Sequence, residues 1–347
     1  MPSTVAHQNS HVVAQDVAKL AGVSTATVSR AINLTGGIRP ETRRRVLLIA
    51  RHLRYYPNQN AQSLAGRTSR TMGIIVSDIR NPFFAEAIRS FEARARPWSY
   101  DVIVKETEYK VSLMRRAAER MLEQKVRGVA ILTSEMSRSW LNEIVRRDIP
   151  VCCFDLDFAS ERAINMKVDY LSGMRQVIGH LYQLGHRRIA FVGGRPALKN
   201  VLSRHDGFVA SMREHGLEPG PMIIGDQSLE GGLSAGLSLL KVFPRPTAAV
   251  SINDLTAVGL IKAFSDHGLR VPQDVSVTGF DNTYLAEYFL PRLTTVDMHP
   301  DILGRTALDA LHEASAGTQT SGREFRIDLD LVVGNSTGPA PGAMDSN

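Results

Sequence analysis

Gln15–Asn33, QDVAKLAGVSTATVSRAIN, reads as two short helices joined by a tight turn. Ala18, Gly22 and Val28 stand at the spacing A-x3-G-x5-V. Ala18 is small enough to let the second helix approach, Gly22 suits the turn backbone, and Val28 fills the angle between the helices. Val17, Leu20, Val23 and Ile32 are expected to complete a small core. Ser24 is placed to cap a helix over about 25–32. That helix turns Thr25, Ala26, Ser29 and Arg30 outward, a set suited to base edges and phosphates. The pattern is a helix-turn-helix, and duplex DNA is the expected partner.

The charge distribution agrees. Residues 1–70 carry ten Lys and Arg against Asp16 and Glu41, a net +8, while the whole chain is +6 and the remainder therefore −2. A basic end on a nearly neutral body is the footprint of a DNA-binding head on a separate domain. At 347 residues, 43% of them hydrophobic, the chain is long enough for a head and one or two larger lobes. No apolar run approaches the roughly 18 residues that span a membrane. MPSTVAHQNSHVV (1–13) lacks the basic start and apolar stretch of a secretory signal. Cys152 and Cys153, in IPVCCF, read as part of a buried reduced strand rather than a bridge or metal pair. A cytoplasmic location is expected, with no metal and no cofactor.

Working outward, 1–11 is expected to be disordered and 12–57 to form a three-helix head, its third helix running from Pro40 to about Arg54 with Val46, Ile49, Ala50 and Leu53 inward. Asn58–Gly66, NQNAQSLAG, is a helix of about two turns, marginal alone in water. Residues 67–71 are a polar linker. From Met72 apolar strands alternate with amphipathic helices. Strands are expected at 72–79, 100–107, 128–134, 150–156, 187–194, 222–226, 248–253 and 275–280. Helices are expected at about 82–96, 110–125, 138–148, 170–184, 203–215, 231–243, 254–267 and 300–314. This βα repetition implies parallel sheets with right-handed crossovers. Two doubly wound lobes suit it better than one barrel, because 294–299 and 325–333 look like further strands passing between lobes. Ligands in such sheets sit beyond the carboxyl ends of the strands, here in the cleft between lobes. The tail from 338 to 347 is expected to be disordered, and no coiled-coil segment that would build a tetramer is seen there.

These segments together resemble the LacI/GalR family of bacterial transcriptional regulators from about Val13 to Ser336. The resemblance rests on DVAKLAGVSTATVSRAIN, YYPNQNAQSLAG, DIRNPFFAEAIRSFE, LGHRRIAFVGG, SRHDGF, SINDLTAVGLIKAF and VPQDVSVTGFDNT, in that order. It implies an all-α helix-turn-helix head on an α/β core of two parallel-sheet lobes, like periplasmic binding proteins. The effector-binding and dimerisation core would span 72–337. Its N-lobe would take 72–168 and 298–325, and its C-lobe 169–297 and 326–337.

The resemblance also implies roles. Thr25 and Ala26 fall at base-reading positions, supported by Ser24, Thr27, Ser29 and Arg30; Thr27 is equally suited to local backbone bonding. Asn33 is a helix cap with a possible phosphate contact. Asn58, Ala61 and Leu64 belong to the hinge helix, and Leu64 matches the residue that wedges into the central base step of the minor groove. Phe83, Phe84, Arg204, Asn253, Asp254 and Asp281 are the candidate effector residues. Asn253 has turn-shaping as an alternative and Asp281 has helix capping. Two positions depart from the family pattern. Gln227 stands where sugar-binding relatives often carry a stacking aromatic, which makes a polar or acyclic effector such as a sugar acid worth testing. Gly334 stands where an arginine is usual.

The expected function is therefore sequence-specific regulation, with repression the expected mode. A homodimer would bind a pseudopalindromic operator, with affinity set by a small sugar-like effector. An enzyme is not expected, since no G-x-G-x-x-G, G-x-x-x-x-G-K-[ST] or H-E-x-x-H occurs. A solute-binding protein, or a regulator that needs no effector, is the alternative.

Overall fold

The computed structural model describes residues 12–32, 36–55, 69–133, 135–156, 158, 160–194, 198–317 and 322–342. They fall in two units, Met1–Thr68 and Ser69–Asn347. In the first, helix α1 (Ala14–Ala21) begins where the Asp16 carboxylate accepts the Val13 N–H at 2.9 Å. It ends at Gly22, whose φ of 62° is left-handed and lets the Val23 N–H close back on the Ala18 carbonyl at 3.0 Å. Helices α2 (Thr25–Ile32) and α3 (Pro40–His52) pack against α1. Val17, Ala18, Ala21, Val28, Ala31, Val46 and Ala50 form the core, with Val23, Ile32, Ile49 and Leu53 packed on it. Leu20 is not part of it: the inward stripe of α1 runs through 17, 18 and 21, and Leu20 lies 62% exposed beside it. The hinge helix expected at 58–66 lies outside the described residues.

In the second unit every apolar run identified from 72 onward becomes a strand. The chain runs β1 (Thr71–Val76), α4 (Pro82–Ala95), β2 (Asp101–Glu106), α5 (Val111–Glu123), β3 (Gly128–Leu132), α6 (Arg138–Arg146), β4 (Val151–Phe154) and β5 (Ala163–Val168). It continues through α7 (Tyr170–Gln183), β6 (Ile189–Gly193), α8 (Lys199–Glu214), β7 (Met222–Ile224), α9 (Leu229–Leu239), β8 (Ala248–Ser251), α10 (Asp254–Asp266), β9 (Ser276–Thr278) and α11 (Tyr284–Tyr288). It closes with β10 (Thr295–Asp297), α12 (Pro300–Ser315), β11 (Glu324–Ile327) and β12 (Asp330–Val332). Strands β11-β5-β4-β3-β1-β2 make one parallel sheet and β7-β6-β8-β9 another. The antiparallel pair β10-β12 belongs to neither. Helix α12 packs on α4, so the chain passes between lobes three times: after β5, before α12 and after β11. Among the described residues no helix is long and apolar enough to cross a membrane.

Three expectations need correction. AINMKV (163–168), whose apolar run Asn165 and Lys167 interrupt, is a strand all the same: β5 lies between β11 and β4 in the first sheet. Helix α8 starts at Lys199 rather than 203, with Leu198 at its cap offering no side-chain acceptor that would mark the start. The expected disorder does not begin at 338: the His186 ring bonds the Gly338 carbonyl at 3.0 Å and the Ala340 N–H donates to Leu184 at 2.8 Å. Backbone bonds of this kind leave no mark in a Gly- and Pro-rich composition.

Candidate functional site

On α2 the hydroxyl-rich sequence divides into two sets. Ser24 Oγ accepts the Thr27 N–H at 3.2 Å and meets Thr27 Oγ1 at 2.9 Å, so these two side chains build the helix start. Thr25, Ala26, Ser29 and Arg30 are exposed. Asn33, Asn58, Ala61 and Leu64 lie outside the described residues.

In the second unit, the residues that follow the carboxyl ends of the strands converge. Ser77 after β1, Thr133 after β3, Asp155 after β4, Asn253 after β8 and Asp281 after β9 line one cavity of about 50 Å³. Phe83 and Phe84 enter it together from the first turn of α4, where Asn81 caps the helix by accepting the Phe83 N–H at 3.0 Å. Their rings meet edge to face at 5.1 Å. Helix α8 supplies Arg204, with Lys199 and Asn200 at its start.

Arg204 is 5% exposed. Its guanidinium lies over the rings of Tyr170 (4.8 Å) and Phe280 (4.6 Å), and Nη2 is 3.6 Å from Asp281 Oδ1. Its Nε is buried without a hydrogen-bond partner. Burial pushes the Asp281 carboxyl well above the usual carboxylate range; Arg204 opposes this and Asp254 adds to it. Asp281 does not cap α11, because Thr283 occupies that position.

The structure does not bring Asp254 to the cavity. Its carboxylate accepts Thr283 N–H (2.7 Å), Thr283 Oγ1 (3.0 Å) and Thr295 Oγ1 (2.6 Å) inside the C-lobe. Asn253 reaches the cavity, but both ends of its amide are engaged: Oδ1 caps α10 on the Thr256 N–H at 2.8 Å and Nδ2 donates to the Gln227 carbonyl at 2.9 Å. It positions its neighbour.

Sequence reasoning missed Tyr109, Asp155, Tyr170, Lys199 and Asn200, all of which line the cavity. The rule that singled out Asp281 applies to Asp155, which directly follows β4 in VCCFDL. Asp155 accepts from the Tyr170 hydroxyl and from the Val168 N–H at 3.1 Å, and burial raises its carboxyl above the ordinary value. Tyr109, Asp155, Gln227 and Asp281 all carry positive φ, from 54° to 125°, so four non-glycine residues of one cavity hold a strained backbone. Such strain gathers at ligand sites.

Residues 14–58 match the bacterial regulatory proteins of the lacI family, and residues 178–337 match a periplasmic binding protein-like domain. The chain is 33% identical over 325 residues to the HTH-type transcriptional repressor PurR of Photobacterium profundum, covering 93% of this chain and 97% of that one. The lac repressor dimer bound to operator and the anti-inducer ONPF superposes with a TM-score of 0.81 at 28% identity, over 95% of this chain and 100% of the other. A LacI family transcriptional regulator from Enterococcus faecium with bound ribose gives 0.69 at 27% identity, over 78% of this chain and 99% of the other. The helix-turn-helix, the two parallel-sheet lobes and these likenesses agree: the chain belongs to the LacI/GalR family of bacterial transcription regulators.

Proposed function

We propose that this chain is a cytoplasmic repressor that acts as a homodimer on a pseudopalindromic operator and is controlled by a small sugar-like effector in its cleft. The observation that carries the effector half is Arg204, a buried guanidinium in the wall of the cavity at the strand ends, with its Nε lacking a hydrogen-bond partner. Thr25, Ala26, Ser29 and Arg30 would read and grip the major groove, with Ser24 and Thr27 shaping the helix start and Asn33 near a phosphate. Asn58, Ala61 and Leu64 would enter the minor groove at the operator centre. Phe83, Phe84, Arg204 and Asp281 would contact the effector, and Asn253 would act through Gln227. The E. faecium relative with ribose and the operator-bound lac repressor support this division of labour.

A ligand held between the lobes changes operator affinity only by its differential binding to the two lobe arrangements, typically 1–3 kcal/mol. The test is selection of an operator from random duplexes by the full-length protein, followed by gel-shift titration with and without candidate ligands. A salt-dependent preference for one two-fold symmetric sequence, altered by a ligand, is the expected outcome. Equal affinity for selected and random duplexes overturns the reading.

A further inference from the structure

Arg204 brings five N–H donors into the cavity wall. Among the described residues its one hydrogen bond is from Nη2 to the Met298 sulfur at 3.9 Å. Asp281 Oδ1 stands at 3.6 Å, within ion-pair range but beyond a hydrogen bond. The rings of Tyr170 and Phe280 lie against the guanidinium at 4.8 and 4.6 Å and offer it no charged partner. A guanidinium buried without oxygen acceptors is costly, and a carboxylate satisfies two of its donors at once.

The acidic neighbours do not take that place. Both oxygens of Asp155 already accept, one from Val168 and one from Tyr170. Burial raises the carboxyls of Asp155 and Asp281 above the ordinary value, and among the described residues neither places an oxygen within hydrogen-bond distance of Arg204. Lys199 joins it on the wall from the first turn of α8, whose N-terminal end also favours an anion.

Gln227 lines the same cavity as these two cations. Its side chain lies over the bare backbone of Gly194, where an added Cβ would come within 2.6 Å of Gln227 Cγ. Its carbonyl is tied by Asn253, and its amide makes no hydrogen bond among the described residues. An amide held in that way receives hydroxyls.

We infer that the effector is a small carboxylate-bearing polyol, a sugar acid, with its carboxylate on Arg204 and Lys199 and a hydroxyl on Gln227. The inference rests on the cleft being the effector site. The test is calorimetric titration of the full-length protein with D-gluconate, D-glucuronate and D-galacturonate against D-glucitol, D-glucose and D-galactose. At least one acid should bind about tenfold or more tightly than its neutral counterpart. Lys199→Met should weaken the acid several-fold and leave the neutral compound unaffected. Arg204→Gln should remove the preference. Equal binding of acid and neutral counterpart, or no binding by any acid, overturns the inference. A gel shift separates this from failure of the regulator itself: operator binding that answers to a neutral sugar keeps the proposed function and removes the acid.

Discussion

Asn253 ties the C-lobe wall of the cleft to the start of α10, donating from Nδ2 to the Gln227 carbonyl at 2.9 Å while Oδ1 accepts the Thr256 N–H at 2.8 Å. One amide thus caps a helix and holds a residue whose φ is +67°. The two roles separate by substitution. Asn253→Ser keeps a capping acceptor and loses the donor, so helix capping survives and Gln227 is released. Asn253→Ala loses both and should cost about 1–3 kcal/mol in urea unfolding. The serine variant should stay within about 1 kcal/mol of wild type while ligand affinity falls. Equal loss of stability in both variants would show that the Gln227 contact, and not the cap, dominates.

Asp254 gives a pH prediction. Burial holds its carboxyl up at about 6, despite three donors from Thr283 and Thr295. In the unfolded chain an aspartate titrates near 3.9. The native state therefore keeps this proton more tightly. The associated stability is fully present below about pH 4 and is lost as pH rises through 6. Asp254→Asn lacks that slope. Urea midpoints of the variant relative to wild type should climb between pH 4 and 6.5, and a flat difference would remove the account.

Gly279 belongs to the same cluster. A Cβ there would fall 2.2 Å from Asp254 Oδ1 and 3.2 Å from Thr295 Oγ1. Gly279→Ala must displace the carboxylate, and a loss of about 1–3 kcal/mol is expected in chemical denaturation. Combining it with Asp254→Ala, which vacates the space, should cost less than the two single changes summed.

The strand-ending positions make Asn253 and Asp281 legible before any coordinates, and the family resemblance does the same for Phe83 and Phe84. Tyr170 and Lys199 were not legible. They reach the cavity because a crossover and an uncapped helix start deliver them there, and neither event leaves a local pattern. Asp254 misled for the converse reason: it also follows a strand, but Thr283 and Thr295 face it from elements remote in sequence. Gly334, noted only as a departure, has a steric cause, since a Cβ there would lie 2.4 Å from the Leu293 carbonyl and 2.5 Å from that of Arg292.

The head supplies a contrast between pattern and position. Leu20 is 62% exposed, whereas Val46 is fully buried between the helices. Leu20→Ser should change head stability by no more than about 0.5 kcal/mol. Val46→Ala should cost about 1–2.5 kcal/mol in a core this small. Thermal unfolding followed by far-UV circular dichroism checks both. If Leu20→Ser destabilises as much as Val46→Ala, Leu20 packs against something the described residues do not include.

Leu64 and Arg30 test the two grooves separately. A leucine wedged into a base step acts through unstacking and bending, so Leu64→Ala should weaken operator binding by a few kcal/mol and reduce bending. It removes no charge, and the slope of log affinity against log salt should stay unchanged. Arg30→Ala, on the exposed face of α2, should lower that slope by about one if the guanidinium meets a phosphate. If it meets guanine instead, the slope should hold while discrimination at one base pair relaxes. Neither change should alter calorimetric binding of the effector, because both residues lie in the sixty-eight-residue unit that precedes the lobes. A Leu64→Ala protein with unchanged operator affinity and unchanged bending would end the wedge assignment.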